Sequence, residues 1–267
     1  MLLAPPAPIA ILGAMPEEVD DLLTHLANPV THTLAGRTFV QGDLWGRPVV
    51  IAFSRWGKVA AALTATLAIT HFKPEALLFV GVAGALDATA APQPLPRPLD
   101  IADIVIARHL FQHDLDASPL FPPMQIPLTS HTSLPADPHW SARLLAAAHA
   151  TLTHDLSTLL SDADRAAFGL TTRTPLAIAG DIVTGDQFIC SAHGRARLHG
   201  LVPSALACDM ESAAVAQVAA DFAVPLAVLR ILSDRADAHA PANFSRFIQN
   251  IAKRLASHCL RRALTAT

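Results

Sequence analysis

The chain has 267 residues, 52% of them hydrophobic and 15% charged, with a formal net charge of −3. That balance supplies ample apolar surface for a core and excludes a charge-rich disordered protein, and the scattered basic residues leave no footprint for nucleic acid or an anionic membrane surface. Apolar runs such as 77–80 fall far short of the ~20 residues a bilayer crossing needs. Cys190, Cys208 and Cys259 have no framework spacing and the segment before Ile9 lacks a basic n-region, so a reducing, cytoplasmic setting is expected.

In chain order, residues 9–12 form a buried-strand run that ends at Gly13 and is followed by Pro16, Glu17 and Glu18. This pattern predicts a strand, a tight turn and a helix start. Two acidic residues there complement the helix dipole and need no further role. They also fall where a first strand's carboxyl end opens into the cleft of an α/β sheet, so a functional reading stands beside the structural one. Residues 37–44 and 49–53 predict a hairpin turning around Gly46. Further buried strands are expected at 77–80, 104–107, 178–183 and 226–232, and helix-period stretches at 59–71, 139–151, 212–223 and 244–263. Strands alternating with helices imply an α/β sheet covered on both faces.

Two stretches interrupt this rhythm. Residues 89–99 carry Pro92, Pro94, Pro96 and Pro98, which forbid helix and sheet interior, and the polar 153–173 reads as a second insertion containing a short helix. Neither divides the chain, so residues 1–267 are expected to form a single domain.

Chemistry points first to the segment 207–214, containing Asp209, Met210 and Glu211, and then to Ser233-Asp234. A carboxylate at the edge of an apolar stretch costs several kcal/mol to desolvate unless it is paired, so a fold that retains such groups is expected to use them. Gly81 and Gly84 predict a glycine-lined loop after the 77–80 strand, one that matches no dinucleotide or phosphate-loop fingerprint. Thirteen histidines invite a metal, but no zinc spacing appears, and neither metal nor cofactor is expected.

Taken in order, Gly13-Ala14-Met15-x-Glu17-Glu18-Val19, Gly57-Lys58-Val59-Ala60-Ala61, Val82-Ala83-Gly84, Gly185-Asp186-x-Phe188-Ile189, the segment Asp209-Met210-Glu211-Ser212-Ala213-Ala214-Val215-Ala216 and Ser233-Asp234 resemble the 5′-methylthioadenosine/S-adenosylhomocysteine nucleosidase family, within the nucleoside phosphorylase superfamily. The resemblance runs from about residue 9 to residue 237. It implies a three-layer α/β/α fold with a mixed central sheet, a homodimer, and hydrolysis of an N-glycosidic bond that releases adenine and a 5-thio-substituted ribose.

By the same resemblance Asp234 is the general acid that protonates N7 of adenine, oriented by Ser233. Glu18 deprotonates the attacking water, with Arg230 near the same place. Glu211 binds the ribose hydroxyls and Met210 packs under the ring. Ala83 and Gly84 belong to the substrate wall, Phe188 stacks on the base, and the backbone of Phe188 and Ile189 reads its edge. Ala117 and Leu120 fall where a partner subunit's lid covers the 5′ substituent. Three departures bear on the sugar end: Val82 where many relatives have serine, Trp56 where a smaller aliphatic residue is common, and Ala85 for a second glycine. The alternatives are phosphorolysis of a purine nucleoside, hydrolysis of a related nucleoside such as aminodeoxyfutalosine, and nucleoside binding without catalysis.

Overall fold

The computed structural model describes residues 6–86, 95–236 and 246–266. Most of the proline-rich stretch, and the residues just after position 236, lie outside this range.

Strand β1 (Ile9–Gly13) shows how the layers arise. Successive side chains leave a strand on opposite faces. Ile9 and Ile11 enter one core with Val19, Leu144 and Leu255, whereas Ala10 and Leu12 enter another with Ala61, Ala65 and Val215. A strand that is apolar at every position is therefore buried on both sides. The first core is covered by α1 (Pro16–Leu23), α3 (Pro138–His154) and the last helix, α8 (Lys253–Thr265), which a π-helical turn over 248–252 precedes. The second is covered by α2 (Lys58–Phe72) and α7 (Ser212–Asp221), whose buried alanines let the two helices pack closely together.

The sheet is mixed. A hairpin of β3 (Arg37–Leu44) and β4 (Arg47–Phe53) turns at Gly46, whose positive φ of 83° suits a residue without a Cβ, and β2 (Ala27–Leu34) continues it at the edge. From there the order runs β2-β3-β4-β1-β5, with β4-β1-β5 parallel. Strand β5 (Ala76–Ala85) has two further partners, parallel β10 (Leu226–Asp234) and antiparallel β9 (Ala205–Asp209). Through β6 (Ile104–Gln112), which carries the two-residue β7 (Leu134–Pro135), and β8 (Ala177–Thr184), these strands close into a ring β5-β10-β6-β8-β9.

The structure corrects the sequence reading in three places. Residues 81–85 continue strand β5 and are not a loop. Strand β2 went unrecognised because it is an edge strand exposed at most positions, with no apolar alternation. Helix α6 (Ala192–Leu201) is polar, with two glycines, and shows no helical periodicity. The segment 153–173 contains the end of α3 and two short helices, α4 (Leu156–Leu159) and α5 (Asp162–Ala167).

Candidate active site

The convergence of β5, β9 and β10 fixes the site. Asp234 lies in register with Gly84 on one side, and Gly84 with Cys208 on the other, so the carboxyl ends of three strands meet. They open into a cleft of roughly 570 Å³ that includes its solvent-facing mouth. Its lining contains Glu18, Trp56, Val82, Ala83, Gly84, Phe188, Ile189, Met210, Glu211, Ser233 and Asp234.

Glu18 occupies both places that its sequence position allowed, the helix start and the cleft wall. It is the third residue of α1, and one carboxylate oxygen accepts from the amides of Ala14 (2.6 Å) and Met15 (3.0 Å), capping the helix. The other oxygen accepts from the amide of Val82 at 2.9 Å, which ties the helix start to β5 across the cleft. Burial pushes its carboxyl above the ordinary value, while the Arg230 guanidinium and the three amides pull the other way.

Glu211 stands at the N-terminal edge of α7, and its side chain accepts from the amide of Gly57 at 2.9 Å. Burial and the neighbouring Asp209 charge raise its pKa to about 7. Asp234 is oriented from two sides: Ser233 Oγ donates to Oδ2 (2.8 Å) and the amide of Ala236 to Oδ1 (2.8 Å). Met210 and Ile189 are half-buried and Phe188 is half-exposed, so the cleft combines apolar walls with three carboxyls.

Arg230 does not line the cleft, in contrast to its expected role as a substrate contact. It is fully buried on β10, donates Nε–H to Asp209 (2.8 Å) and stacks over the Phe79 ring at 4.2 Å. Its two terminal nitrogens have no hydrogen-bond partner among the described residues, and one faces Glu18 across Gly81. Ala117 and Leu120 are also outside the chain's own cleft, with Leu120 83% exposed.

Sequence reasoning gave no role to Asp209, the residue that organises this centre. It accepts from Thr184 Oγ1 (2.5 Å), Arg230 Nε, Ser212 Oγ and the amides of Glu211 and Ser212. Its position two residues before Glu211, beside a strand end, was the available signal. Cys208 and Gln187 also line the cleft, and burial pushes the Cys208 thiol up, leaving it un-ionised. No group of three or more metal-ligating side chains occurs among the described residues, and none of their helices is long and apolar enough to cross a membrane.

The family model of the phosphorylase superfamily matches residues 8–265 of this chain. A 5′-methylthioadenosine/S-adenosylhomocysteine nucleosidase of Shewanella baltica is 34% identical over 241 residues, covering 90% of this chain and 89% of that protein. Among solved structures, a nucleosidase of the same description from Colwellia psychrerythraea, in complex with adenine, superposes with a TM-score of 0.80 at 30% identity, covering 97% of this chain and 95% of that one. A futalosine hydrolase of Helicobacter pylori superposes with a TM-score of 0.79 at 29% identity, covering 96% and 97%. The chain belongs to the 5′-methylthioadenosine/S-adenosylhomocysteine nucleosidase family.

Proposed function

We propose that this protein hydrolyses the N-glycosidic bond of 5′-methylthioadenosine and S-adenosylhomocysteine. The observation that carries the reading is the placement of Glu18, Glu211 and Asp234 on one cleft between apolar walls. Asp234, oriented by Ser233, donates its proton to N7 of adenine as the bond from C1′ to N9 breaks, because adenine leaves poorly as an anion. The bonding pair departs with the base. Glu211 engages the ribose hydroxyls, and its charge favours the oxocarbenium character that develops on the sugar. Glu18 takes a proton from water as the water oxygen attacks C1′, and the buried Arg230 guanidinium behind Glu18 favours the carboxylate form that accepts it. Adenine and the 5-thio-substituted ribose result, Glu18 releases to solvent the proton it took from water, and Asp234 regains one.

Phe188 and Ile189 form the base-facing wall and Met210 the sugar-facing one. Val59 and Leu63 are exposed apolar residues four apart on one face of α2, and the exposed Trp56 lies just before that helix. This supports a homodimer in which Ala117 and Leu120 of each subunit cover the other's cleft. The three free thiols suit the cytoplasm.

Phosphorolysis is disfavoured. Glu18 faces the cleft and repels an anion at the nucleophile's place, Arg55 is exposed and bonded to the Gly36 carbonyl, and Arg230 is committed to Asp209. The futalosine hydrolase neighbour supports a second reading with the same bond broken beneath a larger 5′ group. The test is adenine release from methylthioadenosine, S-adenosylhomocysteine and aminodeoxyfutalosine, with and without phosphate, identifying the sugar. Phosphate-independent release of free thioribose is expected. Phosphate dependence would overturn the hydrolytic reading.

A further inference from the structure

The two stretches that break the strand-helix rhythm converge on one charged cluster behind the active site. Arg97, at the end of the proline-rich stretch, makes a bidentate ion pair with Asp103 at 2.7 Å on both arms. Arg173, at the end of 153–173, reaches the same carboxylate at 2.9 Å and also donates to the Ile101 carbonyl. Asp103 is fully buried, and the amides of Asp100 and Leu176 complete its bonds at 2.8 Å each. The neighbouring Asp100 holds Arg235 with two bonds, Nε at 2.8 Å and Nη2 at 2.9 Å.

Arg235 is the central residue of the turn that presents Asp234. Within that turn Asp234 Oδ1 accepts from the Ala236 amide, and Ala236 takes a left-handed φ of 49°, unusual for a residue with a Cβ. The turn is gripped from outside: Arg195 of α6 donates to the Arg235 carbonyl at 3.0 Å, and Asp100 takes the Arg235 side chain. The 100–103 segment is in turn anchored to β10, with the Ala102 amide on the Leu232 carbonyl and the Leu232 amide on the Asp103 carbonyl, each at 2.8 Å. None of Arg97, Asp100, Asp103, Arg173 or Arg235 lines the cleft.

We propose that Asp100 and Arg235 are positioning residues for the catalytic acid, and that Arg97 and Arg173 brace them. Holding the Arg235 side chain fixes the peptide between Asp234 and Ala236, and with it the direction in which the carboxyl points. Loosening the brace disperses that direction without touching the groups that bind substrate. A reacting group misplaced by about 1 Å loses on the order of 100-fold in rate, and partial loosening loses less.

This inference rests on the role proposed for Asp234, so its test has two independent readouts on the full-length protein. Asp100→Asn and Arg235→Gln are each expected to lower kcat about tenfold with KM unchanged, and Asp100→Glu to restore most of it. Hydrogen exchange of the Ala236 amide, which bonds to Asp234, is expected to quicken in both variants and to return towards the wild-type rate in Asp100→Glu. Unchanged exchange overturns the proposal whether or not the wild type hydrolyses methylthioadenosine. Faster exchange with unchanged kcat, or a rise in KM alone, also overturns it, leaving the cluster a purely structural strut. An inactive wild type with the expected exchange pattern would refute the hydrolytic reading and leave the bracing of Asp234 intact.

Discussion

Gly81→Ala places one methyl group at the most crowded point of the site. A Cβ there would lie 2.5 Å from Arg230 Nη1 and 2.7 Å from Glu18 Cδ, and closer still to the Glu18 oxygen. Ordinary contact is about 3.5 Å, so the Glu18 carboxylate must retreat by roughly 1 Å. Three amide bonds of 2.6, 2.9 and 3.0 Å resist that movement. The strand cannot yield instead, because β5 is paired on both sides and Gly81 itself lies opposite Arg230. Overpacking of this kind costs about 1–3 kcal/mol of stability. A displacement near 1 Å of the group that activates water costs on the order of 100-fold in kcat/KM, about 2.7 kcal/mol of barrier. The assay is adenine release from methylthioadenosine, with thermal melting run alongside. Gly200→Ala is the control, since nothing lies within 4 Å of its added Cβ and helix α6 accepts alanine; it should keep full activity and melt no lower. A Gly81→Ala enzyme within threefold of wild-type kcat/KM would refute the argument that Glu18 is held in place for chemistry.

Asp234→Asn keeps the shape and the Ala236 bond to Oδ1, with Nδ2 donating to Ser233 Oγ in place of the present donation from that hydroxyl, but has no acidic proton, so kcat should fall at least 100-fold while adenine affinity, measured calorimetrically, stays within a few-fold. Asp209→Asn leaves the buried Arg230 without its counter-charge and should cost about 3–5 kcal/mol, seen as a lower denaturant midpoint. Glu211 has a folded-state pKa of about 7 against 4.5 for the free side chain, so between these values the native state binds the extra proton. Its contribution to stability is therefore full below about pH 4.5 and is lost as pH rises through 7. The melting temperature of wild type minus that of Glu211→Gln should fall over that window, and a pH-independent difference would contradict the burial argument.

Much of the fold was legible because its signals are local. Buried strands such as β1, β5 and β10 are continuous apolar runs, helices α3 and α7 show their period in sequence, and α2 is legible as a long run of helix formers. Strand β2 and helix α6 were not legible because the edge strand is mostly exposed and the helix carries its polar residues all round. At the site, Glu211 and Asp234 stood out as carboxyls in apolar settings and Glu18 as one of two acids at a helix start, and the sequence alone determined that carboxyls in apolar settings needed partners. Which partners, only the tertiary structure decided. The closure of β5 onto both β9 and β10 brings Gly84, Cys208 and Asp234 side by side, although Gly84 lies more than a hundred positions before the other two in sequence. It sets Arg230 behind the carboxyls and not in the cleft, and it gathers Arg97 and Arg173 on Asp103. Side-chain type is written locally, but the desolvation and charge pairing that give each group its task depend on neighbours supplied by distant segments.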